Sequence, residues 1–198
     1  MKYNLSEITD VIKDRRTIYP EFYSERKVHK EQVETILNNA IWAPNHGSTQ
    51  PWQFKVFLGK SKERLSDFMS TLYAEKFQGE QFKQTKFDKL KNRPIASGCA
   101  VVAVSLKRES DSRIPELEEI EAVACAIQNM YLTCTAWGLG GFWATPKLIY
   151  TEEMNDFLNL EGEDKCLGLF YIGYVKPDFE WPKGHRKPLE YYTEWLEE

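Results

Sequence analysis

The segment from Glu116 to Trp137 carries the longest helical pattern of the chain, and this pattern constrains the fold most. Its apolar residues recur at helical spacing on more than one side of the predicted helix. Such a helix is usually central in a core, whereas a surface helix has a single apolar stripe. Gly138 follows directly and is a typical helix terminator. We therefore expect other elements to pack around this helix.

Helical and strand-like segments alternate along the rest of the sequence. Helical spacing and capping residues predict further helices over Leu5 to Lys13, Lys30 to Ile41, a segment capped by Ser61, and Thr151 to Leu158. The lysine-rich segment from Gln81 to Arg93 is interpreted as a charged surface helix or flap, which is either a solvated face or a cationic lid that attracts a nicotinamide-nucleotide phosphate. Strand patterns cover Gln53 to Leu58, Cys99 to Leu106, and Cys166 to Val175. Because two consecutive helical segments separate the strands, we expect an α+β fold with a mixed sheet, not a doubly wound parallel sheet.

Length and charge limit the classes of function. The 198 residues contain no internal repeat or linker and suit one domain with an extended tail from about residue 176. The net charge of −4 argues against general nucleic-acid binding, which requires a basic surface. The longest nearly apolar stretch, Cys99 to Leu106, is too short to span a bilayer. The first ten residues lack a secretory signal pattern, so we expect a cytoplasmic protein.

Two adjacent arginines, Arg15 and Arg16, follow the first predicted helix, and Thr17 comes next. Cations at a helix end interact favourably with the helix dipole, which is one interpretation of the pair. The other is a clamp on a phosphate monoester, because guanidinium groups bind phosphate bidentately. Thr17 would then offer a hydroxyl to a ring carbonyl or an imide edge. Arg186, in the cationic run from Lys183 to Lys187, could complete the phosphate site.

The loop from Ala43 to Trp52 is both rigid and polar. Two prolines fix its backbone and Gly47 relieves it, while its polar side chains belong to Asn45, His46, Ser48 and Gln50. A loop so constrained and yet so polar usually binds a ligand. The alternative is a rigid connection between a helix and a strand, with Trp52 in the core.

A second glycine-rich segment, Gly138 to Trp143, is not a dinucleotide fingerprint, because it follows a helix and lacks the third glycine. It fits a helix end followed by a strand whose backbone approaches a flat ligand closely. Glycines that serve only to end the helix are the alternative.

The sequence offers no convincing nucleophile or metal cluster. The three histidines lie far apart, and no GxSxG motif is present. The cysteines show no CxxC spacing and lie in apolar segments, so we expect them to be reduced and buried. They are Cys99, Cys125, Cys134 and Cys166.

Together these motifs resemble the FMN-dependent nitroreductase family, and within it short enzymes with an Ala-Pro-(Asp/Asn)-His-x-x-x-Gln-Pro-Trp loop. The resemblance covers nearly the whole chain, from Arg15 through the Ala43 to Trp52 loop and Trp143 to Arg186. It implies a mixed, mainly antiparallel α+β sheet flanked by helices and an intertwined homodimer with FMN at its interface. The tail from about residue 176 would pack on the partner chain.

The resemblance also implies which residues touch FMN. Contacts to the phosphate and the ring would come from Arg15, Arg16, Thr17, Trp143, Ala144, Thr145 and Arg186. Two residues would reach in from the partner chain, Trp42 and His46. The same loop would contribute Ser48 and Gln50.

The implied activity is an NAD(P)H-dependent oxidoreductase in which FMN carries the electrons, so no catalytic side chain or metal is expected. NADH or NADPH would reduce the flavin and leave before a nitroaromatic, quinone or enone acceptor binds, a ping-pong order. Two alternatives remain open: a flavin-binding carrier or sensor without turnover, and an interaction module whose tryptophan-rich surface binds a protein.

Overall fold

The computed structural model describes residues 2–109 and 113–196. Within them, the helices are α1 (Leu5–Asp14), α2 (Lys30–Ala40), α3 (Ser61–Lys76), α4 (Gln84–Asn92), α5 (Glu116–Ala136) and α6 (Glu152–Leu158). The strands are β1 (Trp52–Phe57), β2 (Ala100–Leu106), β3 (Leu139–Ala144) and β4 (Lys165–Tyr174). In this described part of the chain, no helix is both long and apolar enough to cross a bilayer.

The strands form a four-stranded sheet in the order β1-β2-β4-β3, and each pair of neighbours is antiparallel. The α+β class expected from the sequence is confirmed, and the elements begin and end close to their predicted bounds. Among the described residues, the parallel pairing of the sheet is limited to an isolated bridge between Thr17 and Gly141. Ser61 is the first residue of α3 and not its cap, because its hydroxyl closes a turn on Leu58.

Helix α5 packs with α2 on one face of the sheet, so the prediction that it is central is confirmed. Helices α3 and α6 cover the other face. Side chains of β2 alternate between the layers, with Val102 facing α5 and Val101 facing α3. Every residue of β2 is buried, which explains its continuous apolar sequence.

The four cysteines do not share one environment. Cys99, Cys134 and Cys166 are buried as expected, but Cys125 is exposed, so its predicted burial was wrong. Helix α5 is apolar on more than one side, yet it leaves a solvent-facing stripe, and Cys125 lies on that stripe. Burial raises the pKa of the Cys166 thiol to about 11, which keeps it protonated and unreactive near neutral pH.

Tyr23 packs across a pair of glycines in the sheet. Gly140 and Gly173 face each other in the register of β3 and β4. A Cβ on Gly140 would lie 2.8 Å from Tyr23 Cε1, and a Cβ on Gly173 would overlap the same ring. The Tyr23 hydroxyl lies 3.0 Å from the Ile18 carbonyl oxygen and 3.2 Å from that of Tyr171. Burial raises the pKa of Tyr23 well above its ordinary value, so the hydroxyl remains a donor.

Helix α1 presents an apolar face to solvent. It begins after Asn4, whose side-chain oxygen accepts a hydrogen bond from the Ser6 N–H at 3.1 Å. Leu5, Ile8 and Ile12 lie along one side and are 61, 47 and 53% exposed, and no residue of this helix is buried. An amphipathic helix normally covers such a face with another element.

Candidate functional site

A cavity of about 1370 Å³ lies between the end of α1, the C-terminal half of α5 and the tail. Five cationic side chains line it, those of Lys13, Arg15, Arg16, Lys183 and Arg186. Two carboxylates, those of Asp10 and Asp14, are the acidic members of the same lining. The excess of positive charge favours an anionic ligand. Three of the predicted cofactor contacts thus meet in one cavity, although Arg186 lies far from the arginine pair in sequence.

Arg16 fixes the tail against the end of α1. Its Nε donates to the Pro182 carbonyl oxygen at 2.7 Å, and its Nη1 donates to those of Lys13 at 2.6 Å and Arg15 at 2.7 Å. A Cβ on Gly184 would overlap the Arg16 guanidinium, so the tail passes directly over this group. Because its three acceptors are uncharged, Arg16 builds the cavity wall and still contributes its positive charge to the cavity.

Arg15 is bound more loosely than Arg16. Its backbone N–H closes α1 on the Val11 carbonyl oxygen, and its guanidinium lies 5.1 Å from the centre of the Tyr131 ring. Within residues 2–109 and 113–196, no carboxylate forms an ion pair with Arg15 or Arg186. Both guanidinium groups therefore keep donors for an anion in the cavity.

The Tyr131 hydroxyl joins Thr17 to strand β3. It lies 3.4 Å from Thr17 Oγ1 and accepts a hydrogen bond from the Trp143 N–H at 2.8 Å. Tyr131 is 8% exposed, and its ring packs edge-on against Phe170. Tyr131 belongs to the apolar pattern of the predicted helix from Glu116 to Trp137, and no sequence signal indicated the contacts of its hydroxyl.

The three β3-end residues expected to face the flavin ring have different environments. The Trp143 N–H is bound to Tyr131, and its indole Nε1 donates to the Leu167 carbonyl oxygen at 2.9 Å. Ala144 is half-buried and Thr145 is exposed. Among the described residues, none of the three lines the cavity that holds Arg15.

The glycines of this segment serve packing. Gly138 has φ of 69° after the end of α5, which confirms its predicted role at the helix terminus. Gly141 is needed because a Cβ there would lie 3.0 Å from Phe170 Cζ and 3.1 Å from Tyr131 Cδ1. Gly140 is needed for Tyr23. The structure therefore gives these strand glycines a packing role against buried rings, and close approach of a flat ligand to this backbone stays a prediction.

The loop between α2 and β1 has an unusual backbone. Gly47, Ser48 and Gln50 all have φ between 48° and 60°, a region in which side chains other than glycine are strained by about 1 kcal/mol or more. The Asn45 side-chain oxygen holds the loop by accepting from the Gln50 N–H at 3.1 Å. His46 Nδ1 lies 2.6 Å from Glu118 Oε2 at the start of α5. Strain of this kind is concentrated at functional sites.

Helix α5 separates the predicted site residues into two groups. His46 contacts α5 at Glu118, whereas Arg15 lies over Tyr131, near the other end of the helix. At 1.5 Å per residue these two positions are about 20 Å apart along the helix axis. Trp42, in the same loop segment as His46, is 84% exposed. One chain therefore does not bring its His46 to its own arginine cavity.

Acidic, cysteine and histidine side chains offer no metal site in the part of the chain that the structure describes. No group of three or more His, Cys, Asp or Glu residues there could hold a metal ion. The arginine cavity and the strained loop are thus the two features that point to a ligand.

Residues 12–174 match the family model described as "Nitroreductase family". The chain is 29% identical over 143 residues to a protein of Escherichia coli (strain K12) named "Putative NAD(P)H nitroreductase YdjA", an alignment that covers 72% of this chain and 75% of that protein.

Solved structures have the same fold. A nitroreductase-like family protein from Bacillus cereus superposes with a TM-score of 0.82 at 26% identity, covering 100% of this chain and 99% of that one. The FMN-dependent nitroreductase NfnB from Mycobacterium smegmatis, solved in complex with NADPH, superposes with a TM-score of 0.75 at 18% identity, covering 98% of this chain and 100% of that one.

Proposed function

We propose, because this chain belongs to the nitroreductase family, that it binds FMN and passes two electrons from NADH or NADPH to an organic acceptor. The observation that carries the proposal is the cavity in which Arg15, Arg16 and Arg186 converge. The acceptor classes are nitroaromatics, quinones and enones, and the oxidised nicotinamide leaves before the acceptor binds.

The cavity fits the phosphate of FMN. A phosphate monoester carries up to two negative charges near neutral pH and accepts several hydrogen bonds. Arg15 and Arg186 have guanidinium groups without a carboxylate partner in the described chain, and Arg16 adds positive charge to the wall. Guanidinium groups bind such oxygens bidentately. The cationic side chains therefore match a monophosphate in charge, and the guanidinium groups of Arg15 and Arg186 keep donors for its oxygens.

The protein contributes binding and orientation to this reaction. When bound, FMN supplies the electron-transfer chemistry between nicotinamide and acceptor. Arg15, Arg16 and Arg186 hold the phosphate, and Thr17 donates to or accepts from the ring, close to the β3 end formed by Trp143, Ala144 and Thr145. None of these roles requires a side chain that gains or loses a proton during turnover.

A second copy of the chain completes the site in this proposal. Because α5 separates His46 from Arg15 by about 20 Å, a site that uses both needs His46 from the partner. Trp42, Ser48 and Gln50 would enter with it. The exposed apolar face of α1 and the exposed aromatic side chains of the tail are the surfaces that such a homodimer would bury, and they are too extensive to favour a monomer.

The tail supports the same assembly. Trp181, Tyr191, Tyr192 and Trp195 are 44 to 73% exposed in one chain. Arg16 fixes the tail at Pro182, so the residues that follow Pro182 extend from a defined point on the protein surface. We propose that the tail from about residue 176, whose first part is held by Arg16 of its own chain at Pro182, packs on the partner through these exposed aromatic side chains.

We expect Arg15→Ala to raise the dissociation constant for FMN by about ten- to a hundredfold. A hydrogen bond to a charged group is worth about 1.5–3 kcal/mol, which sets the size of the expected loss. Within the described chain the fold does not depend on a hydrogen bond of the Arg15 side chain, so the substitution should act on binding. Fluorescence titration of the apoprotein with FMN measures the effect.

The matched control for Arg15 is Arg64→Ala, which removes the same charge from an exposed position on α3, on the other side of the sheet. Arg64→Ala should leave the affinity for FMN unchanged. Equal affinity in the Arg15→Ala variant would sink the proposed phosphate site, as would native protein that carried FAD alone. Bleaching of bound FMN by NADH or NADPH, and recovery of its colour with a quinone, separates an enzyme from a carrier.

We expect His46→Ala to change turnover per bound flavin by less than about tenfold. General acid–base catalysis typically contributes about a hundredfold or more, and the proposed chemistry resides in the cofactor. The measurement is the rate of acceptor reduction divided by flavin content. A loss of several decades at full flavin occupancy would show that His46 donates or accepts a proton in the reaction.

A further inference from the structure

The hydroxyl of Tyr131 has a defined hydrogen-bond direction. Its oxygen accepts from the Trp143 N–H at 2.8 Å, and a backbone N–H can only donate. The Tyr131 proton must therefore go to another acceptor, since this side chain is 8% exposed and an unsatisfied buried hydroxyl is unfavourable. In the described chain, Thr17 Oγ1 lies 3.4 Å away; either hydroxyl of this pair could donate, and the bond from the Trp143 N–H favours Tyr131 as the donor.

This arrangement fixes what Thr17 can do. If Tyr131 donates to Thr17 Oγ1, the proton of the Thr17 hydroxyl is free to point away from Tyr131. Thr17 is exposed, and it follows Arg16 and Arg15, which line the cavity. Its backbone is held by the bridge to Gly141, so the side chain has a stable position at the edge of the site.

We infer that Tyr131 is a positioning residue that makes Thr17 a hydrogen-bond donor to an acceptor oxygen of the ligand. The inference rests on the proposed function, because the ligand is taken to be FMN. It chooses between the two partners that Thr17 could have on a flavin: because the Thr17 proton is left for the ligand, a carbonyl or phosphate oxygen is favoured over the imide N–H. Tyr131 acts through Thr17 and touches no reacting atom.

A double-mutant cycle on the apoprotein tests the coupling. Thr17→Val removes the hydroxyl while retaining the shape of the side chain, and Tyr131→Phe removes the phenol oxygen while retaining the ring that Arg15 covers. We expect each single variant to raise the dissociation constant for FMN by about three- to tenfold. The double variant should bind no more weakly than Thr17→Val alone, because both changes remove the same interaction.

Two further variants separate positioning from a structural role. Thr17→Ser keeps the hydroxyl, so this variant should bind FMN about as tightly as the native protein does. Tyr131→Phe leaves the Trp143 N–H without this partner, so the urea midpoint of the apoprotein is measured in parallel. A Tyr131→Phe variant that is less stable but binds FMN as tightly as the native protein overturns the inference, as does a double variant whose effect equals the product of the two single effects.

A methylated ligand tests the direction of the Thr17 bond. Thr17→Val should weaken binding of N3-methyl-FMN by the same factor as binding of FMN, because the imide hydrogen takes no part. Disappearance of the Thr17→Val effect on the methylated ligand would overturn the inference. Binding of riboflavin locates the acceptor oxygen of the ligand. If Thr17→Val weakens binding of riboflavin and FMN by the same factor, the acceptor lies on the ring. If Thr17→Val weakens binding of FMN alone, the acceptor lies on the phosphate. If the native protein does not bind FMN, the proposed function fails, whereas failure of the coupling with FMN bound rejects the Tyr131 inference alone.

Discussion

Tyr23→Ala should lower the free energy of unfolding by about 3–5 kcal/mol, the range found when a buried aromatic side chain is truncated. Tyr23 is 6% exposed and packs on both Gly140 and Gly173. Because neither glycine has a side chain, neither of them can fill the cavity left by the ring. Urea unfolding at a fixed protein concentration measures the change.

Two variants divide this effect into its parts. Tyr23→Phe keeps the ring and loses the hydroxyl between Ile18 and Tyr171, which should cost about 1 kcal/mol. Gly173→Ala places a methyl group into the ring and should cost about 1–3 kcal/mol or more. In the Tyr23→Ala background the methyl group has room, so the Gly173→Ala cost should largely vanish. An undiminished cost there would contradict the packing that the structure shows.

Ile8→Asp should convert the proposed homodimer into monomers and remove most of the bound FMN. Ile8 is 47% exposed in the single chain, in the middle of the apolar face of α1. Burying one aliphatic side chain contributes about 1.5 kcal/mol, and two-fold symmetry doubles it, so the dimer dissociation constant should rise by about a hundredfold or more. Sedimentation and the flavin-to-protein ratio are measured together, since in the proposed dimer the partner's loop would complete the site.

Ile95→Asp is the matched control. Ile95 is 42% exposed, but it lies in the connection between α4 and β2, away from α1. The same substitution there should leave both the sedimentation and the flavin content unchanged. A native protein that sediments as a fully flavin-loaded monomer would contradict the assembly, and an Ile8→Asp variant that stays dimeric would assign the interface to another surface.

The fold was largely predictable because its signals are local. The apolar run of β2 and the many-sided apolar pattern of α5 reflect burial on two sides, and both elements occupy the centre of the molecule. Thr151 caps α6 as the sequence predicted, with its hydroxyl oxygen accepting from the Met154 N–H at 3.3 Å. Hydrophobic periodicity encodes such features within one segment, so no knowledge of distant residues is needed.

The chemistry of the candidate site was less predictable because it depends on distant contacts. Arg16 binds the Pro182 carbonyl oxygen, 166 residues away, and no sequence pattern separates this arginine from its neighbour Arg15. The glycines before Trp143 looked suited to a flat ligand, but their constraint is the bulk of Tyr23, Phe170 and Tyr131. The cofactor contacts themselves remain predictions. The structure shows in addition which of the predicted residues share a cavity.

The span of α5 between Glu118 and Tyr131 also limits how such a protein can change during evolution. One residue inserted between these positions would rotate one end of the helix against the other by about 100° and lengthen it by about 1.5 Å. The His46 loop and the arginine cavity would both lose their alignment in a single event. Insertions and deletions that alter ligand preference should therefore accumulate in the loops and the tail, while the number of residues between these two positions stays constant among relatives that retain both contacts.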